Sequence, residues 1–195
     1  LPSARLPVAA CRVLFASDGV IPGVPGLPPF AGAGGRIMWY PGKAALRAGY
    51  VNGTQWDQSN IGTYSFASGF STTASQGYST AMGFFSTASG SASTALGNQT
   101  TAKAFRALSI GSLNDNTDSH DPLNINPNDR IFQIGNGFGF FPGNAMTVLR
   151  NGNVGIGTLN PSSKLHISAG DASFALFGPN SYGGMLYVGA SPNNQ

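Results

Sequence analysis

Charge is what this sequence has least of. Its 195 residues include ten Lys and Arg and seven Asp and Glu, 9% in all, against about a quarter in ordinary soluble domains. The net charge of +3 is spread thinly, and no Lys/Arg cluster supplies the footprint that a nucleic-acid partner requires. Cys11 is the single cysteine, so an internal disulfide framework and a cysteine-based zinc cluster are both excluded. No apolar run reaches 18 residues, so no segment reads as a membrane-spanning helix. The first 20 residues lack the charged, apolar and small regions of a signal peptide, and any anchor is expected outside these residues or in a partner. Catalytic patterns are missing too. The Gly-Ile-Gly of 155–157 lacks the third glycine and the following helix of a nucleotide loop, and His166 sits on an apparent strand as a structural side chain. No paired-acid motif is legible, and no enzyme, resident metal or cofactor is expected.

Small residues and turn formers fill the space that charge leaves. Gly accounts for 28 residues, twice its ordinary share, yet 41% of the chain is apolar, which does not fit a disordered chain. The organising stretch is 61–112. Every seventh residue from Gly62 gives Gly62, Gly69, Gln76, Gly83, Gly90, Gly97, Ala104 and Gly111, and Ala recurs two positions earlier at 67, 74, 81, 88, 95 and 102. Fixed short periods are the signature of repeat architectures. The residue before the Gly position alternates between polar (Ser75, Ser89, Lys103) and apolar (Met82, Leu96, Ile110), so the true period is 14. Each seven-residue unit is expected to hold one five-residue strand and a two-residue turn, with Gly closing the strand at positive φ. Two units make one coil.

Side chains of a strand alternate between faces. The small set, Ser79, Ala81, Gly83 and their equivalents, is expected to line a thin interior. On the opposite face one half-coil carries Thr80 with Met82, Thr94 with Leu96, and Leu108 with Ile110. The other carries Thr73 with Ser75, Thr87 with Ser89, and Thr101 with Lys103. One sheet therefore faces water and the other something apolar. A second copy of the chain is the expected cover, with Thr80, Met82, Thr94, Leu96, Leu108 and Ile110 at a cyclic homo-oligomer interface.

The Ser-Thr-Ala-Met-Gly and Ser-Thr-Ala-Leu-Gly units at seven- and 14-residue spacing resemble the head repeats of trimeric autotransporter adhesins. The resemblance covers about 50 residues and implies an all-β fold, a left-handed parallel β-roll of 14-residue coils in a homotrimer on a bacterial surface. Gln76 and Ala104 depart from its Gly rule and imply locally altered turns. A second resemblance lies downstream. The run VLRNGNVGIGTLNPSSKLHI is similar to segments of phage tail fibres and bacterial surface fibres.

Around the roll the chain divides into simple pieces. Residues 1–35 are Pro- and Gly-rich and read as an extended segment, with a short strand within Leu6–Ser17. Residues 36–60 hold Trp39, Tyr40 and Trp56 and read as the atypical unit that shields the end of a repeat array, with a sugar-stacking platform as the alternative. The roll's turns carry Phe70, Phe84 and Phe85 on one edge and Tyr64 and Tyr78 on the other. With Trp39 and Trp56 they are the receptor-contact candidates, the alternative for the turn aromatics being seams between subunits. Residues 113–130 form an Asn/Asp-rich loop in which Asp115, Asp118 and Asp121 are calcium candidates, although no EF-hand spacing is present. Residues 131–195 read as a second β module of fibre or shaft type, with a hairpin at 151–153 and strands at Ser173–Phe177 and Met185–Val188. The expectation is a non-enzymatic, extracellular trimeric fibre that binds a glycan or protein receptor through its roll. The alternatives are a receptor-binding tail fibre of a phage or contractile injection particle, and a purely structural fibre subunit.

Overall fold

The computed structural model describes residues 13–14, 27–28 and 30–168. The candidate strands Ser173–Phe177 and Met185–Val188, and most of Leu6–Ser17, lie outside them. Strands in chain order are β1 (Val13–Leu14), β2 (Gly34–Tyr40), β3 (Ala45–Val51), β4 (Phe66–Phe70), β5 (Thr73–Ala74), β6 (Thr80–Phe84), β7 (Thr87–Ala88), β8 (Thr94–Asn98), β9 (Thr101–Ala102), β10 (Leu108–Ser112), β11 (Arg130–Asn136), β12 (Asn144–Leu149), β13 (Val154–Ile156) and β14 (Leu165–Ile167). One sheet takes eleven of them in the order β1-β2-β3-β4-β6-β8-β10-β11-β12-β13-β14, and the second is β5-β7-β9.

The 14-residue period is realised as stacking in register. Thr80–Phe84 pairs in parallel with Thr94–Asn98, each residue opposite the one 14 positions on, and Thr87–Ala88 pairs likewise with Thr101–Ala102. The two half-coils are unequal. Expected to be alike, they give a five-residue strand on one side and a two-residue strand on the other. After Ala88 the chain turns away through Ser89, Gly90 and Ser91. The interior is as thin as the sequence implies: Ala67, Ala74, Ala81, Ala88, Ala95 and Ala102 form one fully buried cluster. Serines beside them turn their hydroxyls onto backbone carbonyls, Ser79 Oγ donating to Gln76 O at 2.6 Å and Ser86 Oγ to Gly97 O at 2.9 Å.

The glycines at the ends of the longer strands take the positive φ expected of them, but they do not line the interior as expected. Gly83 is exposed and does not line the interior. Gly49, Gly69, Gly83, Gly97 and Gly111 all take positive φ, and a Cβ on any of the five would overlap a carbonyl oxygen of the adjacent strand. Close stacking, rather than interior volume, therefore demands glycine there. The left-handed turn conformation falls instead on non-glycine residues every seventh position: Tyr64, Ser71, Tyr78, Phe85, Ala92, Gln99, Arg106 and Leu113, with φ from 42° to 60°. Such a backbone costs about 1 kcal/mol or more per residue, and each site recovers a backbone hydrogen bond, Tyr64 and Ser71 to Lys43 O and Tyr50 O of the preceding hairpin and the others to the coil before. Phe85 N donates to Phe70 O, Gln99 N to Phe84 O and Ala92 N to Gly77 O, all at 2.7–2.8 Å. The turns at Gln76 and Ala104 keep the common pattern, Ser79 N to Gln76 O and Ala107 N to Ala104 O, as at Gly90. The missing glycines do not alter them.

Both flanks continue the large sheet. β2 and β3 form an antiparallel hairpin whose second strand pairs in parallel with β4, and β1 pairs with β2 within the same chain. Downstream, β11 pairs in parallel with β10, and β12 and β13 follow antiparallel, joined by the turn through Gly152. The segment expected as a second β module therefore begins as an extension of the first sheet.

Candidate functional site

Stacking at a fixed register turns repeated side chains into ladders. Strands lie about 4.8 Å apart, so aromatic rings at equivalent positions of successive coils fall within stacking range. Tyr64 and Tyr78 stack at 5.2 Å on one edge, where both rings are exposed. On the opposite edge Tyr50 stacks on Phe70 at 5.5 Å and Phe70 on Phe84 at 5.2 Å. Phe85 packs edge-on to Phe84 at 4.6 Å and to Phe70 at 5.2 Å. Five of the seven receptor-contact candidates thus sit on the two edges. Tyr50 was not among them, because its place opposite Phe70 follows from the β3 register and not from the repeat. A shallow open depression of about 440 Å³ lies beside this edge, lined by Phe85, Gln99, Thr101, Leu113 and Asn116.

The two tryptophans separate. Trp56 is 0% exposed, donates its indole N–H to Thr72 O at 2.9 Å, and clusters with Met38, Tyr40, Ala45, Val51 and Ile61. It is removed from the receptor-contact candidates, since an enclosed ring offers no face to a sugar. Arg36 lies over its ring at 5.2 Å. Trp39 is exposed, but on the broad face of the sheet and not at an edge. The interior at this end is closed by an arginine. Arg47 occupies the position that Ala67 and Ala81 hold in the next strands, and its guanidinium donates to the carbonyls of Leu46, Ser65 and Ala74 at 2.9–3.0 Å and to Ser65 Oγ at 2.8 Å. Burial lowers its pKa to about 10, so it remains charged at neutral pH. At the other end Gln133 fills the equivalent place and joins Asn114, Asn144 and Thr147 in a buried polar network.

The broad outer face is the most extensive feature. Two columns run across the large sheet in continuous register. The first passes through Trp39, Leu46, Phe66, Thr80, Thr94, Leu108, Phe132 and Val148, and the second through Ile37, Ala48, Ser68, Met82, Leu96, Ile110, Ile134 and Met146. None of these residues is buried within the chain, and Met82 is 42% exposed. The six interface candidates Thr80, Met82, Thr94, Leu96, Leu108 and Ile110 all lie in these columns, next to one another. The flanking members extend the face well beyond the repeat.

The calcium candidates are engaged differently. Asp115 Oδ1 lies 2.5 Å from Arg130 Nη1 and accepts from Thr117 Oγ1 at 2.8 Å, while Asp118 sits 3.8 Å from Arg130 and 3.6 Å from Lys103. Burial pushes the Asp115 carboxyl up, but the hydrogen bonds from Arg130 and Thr117 outweigh it and hold it below the usual carboxylate range. Asp121 closes a turn, accepting from the N–H groups of Leu123 and Asn124 at 2.9 Å; those bonds lower its pKa. Arg130 and Lys103 already stand beside Asp115 and Asp118, and among the described residues no group of three or more His, Cys, Asp or Glu converges. The loop lies along the coil stack, Ser91 N donating to Pro122 O and Phe105 N to Asp121 O.

Residues 61–86 and 88–113 match the YadA head domain repeat in two copies. No curated protein and no solved structure matches the chain.

Proposed function

We propose that the YadA-type repeats of this chain serve a non-enzymatic, extracellular adhesive fibre that works as a homotrimer on a bacterial surface. The observation that carries this reading is the apolar outer face, whose two columns lie uncovered on a chain matching head repeats. Three copies packed by this face as left-handed β-rolls would bury Met82, Leu96 and Ile110, each contributing roughly 1.5–3 kcal/mol per subunit. The exposed edges would then carry the recognition. The Tyr64–Tyr78 ladder and the Phe70–Phe84–Phe85 cluster offer flat apolar rings suited to sugar faces or protein side chains, and three copies multiply weak contacts where the geometry permits.

The test of assembly is Leu96→Asp, which sets a charge at the centre of the face. The expected result is a monomer in sedimentation velocity, with a lowered melting temperature. A variant that stays trimeric with unchanged melting removes this assignment of the face. A tail-fibre setting for the same trimer is favoured by one observation, the continuation of the sheet through β11–β14 into the fibre-like run at 148–167. Locating the native protein on a cell envelope or on a tailed particle separates the two.

A further inference from the structure

We infer that the hairpin tip between β11 and β12 is an inter-subunit clasp, whose phenylalanines dock on a neighbouring copy of this chain; the inference rests on the trimeric reading above. Phe138, Phe140 and Phe141 are 86%, 97% and 80% exposed, the three highest values among the described large apolar side chains. Their display is built into the backbone. Phe138 N donates to Phe141 O and Phe141 N to Phe138 O, both at 3.0 Å, closing a two-residue turn at Gly139 and Phe140 with Gly139 in the left-handed region. The base is tied down as well, Gly137 N donating to Ser112 O and Gly143 N to Leu113 O. A rigid turn that holds three rings in water is costly unless something covers them.

Three observations choose a second copy as the cover. First, Ile134 and Met146 face each other in the outer apolar column, so the same hairpin that forms part of that face runs past its edge into the tip. The clasp stands at the end of the proposed interface, beyond the register shift between Ile134 and Gly135 and the exposed Asn136. Second, if each ring buries the usual 150–250 Å², the tip adds roughly 500 Å² per copy, over half of the 800 Å² that a standard partner contributes. Third, no Lys or Arg occurs between Arg130 and Arg150, so the tip lacks the basic flank that draws apolar loops to anionic lipid.

The test uses the full chain. Hydroxyl-radical oxidation read by mass spectrometry compares the wild-type trimer with the Leu96→Asp monomer, and the expected result is several-fold slower oxidation of all three phenylalanines in the trimer. The double variant Phe140→Ser/Phe141→Ser is expected to remain folded while the concentration for half-dissociation rises roughly tenfold or more. Equal oxidation in both states, or an unchanged dissociation midpoint, overturns the clasp. So does flotation of the wild-type trimer with neutral phosphatidylcholine vesicles that the double variant loses, which would assign the tip to a lipid surface. A wild-type chain that sediments as a monomer refutes the trimeric reading itself, and the clasp with it.

Discussion

Gly97 and Gly77 lie 20 residues apart in the repeat region, and the coil stack predicts opposite fates for alanine at the two positions. At Gly97 the backbone has φ +133°, and an added Cβ would overlap Gly111 O and lie 3.0 Å from its carbonyl carbon. Both partners belong to backbone ladders, so neither can swing aside. Forcing a side chain into that region costs of order 1–3 kcal/mol, and overpacking adds about 1–3 kcal/mol more. Gly97→Ala should therefore lose about 2–6 kcal/mol. For a domain of this size that corresponds to a melting temperature at least about 4 °C lower. At Gly77 φ is not in the positive region and the nearest atom to an added Cβ is Thr63 O at 3.7 Å, an ordinary contact. Gly77→Ala should stay within about 0.5 kcal/mol of the parent. Thermal melts followed by far-ultraviolet circular dichroism on both variants decide it. Equal losses, or a stable Gly97→Ala protein, would refute the close stacking of these glycines on the neighbouring carbonyls.

Trp56→Ala opens a cavity under the first coil and strands Thr72 O, and should cost about 3–5 kcal/mol in chemical denaturation; a loss below about 1 kcal/mol would return Trp56 to the surface. Asp115 has a folded pKa below its unfolded value of 3.8, so its contribution is present above that value and disappears as pH falls through the lowered one. Asp115→Asn should accordingly flatten the decline of melting temperature on acidification below about pH 4, and an unchanged acid limb would contradict the Arg130 pairing. Millimolar calcium is expected to leave the melting temperature unchanged, because Arg130 and Lys103 already face Asp115 and Asp118; a calcium-dependent rise abolished by Asp118→Asn would reinstate the site.

Much of this structure is legible in one number. A seven-residue recurrence of Gly and Ala, with polar and apolar residues alternating before the Gly, sets the coil length and the inward Ala column. The same alternation sets apart the apolar outward pair of one half-coil. Those features depend on local periodicity and on the alternation of side chains along a strand, which any register-preserving fold must respect. Chemistry between coils is not local, and there the reading fell short. Gly83 looked like interior filler because its parity matches Ala81, whereas its hydrogen atom faces the backbone of the next coil. Trp56 looked as available as Trp39, because nothing in the sequence tells which ring folds over the first coil.

The sequence by itself determined the period, the all-β class, the thin core and which side of the coil is apolar, since all of these follow from residue size and polarity repeated at fixed spacing. Only the tertiary structure decided how far that apolar side extends. Ile37, Trp39, Phe132, Ile134, Met146 and Val148 lie outside the repeat, and they join its face because β2, β11 and β12 add their strands to the same sheet in register. Strand pairing is set by hydrogen bonds between residues distant in sequence. No periodicity within 131–149 announces that its strands share a sheet with Leu96, nor that the turn between them holds three phenylalanines out into water.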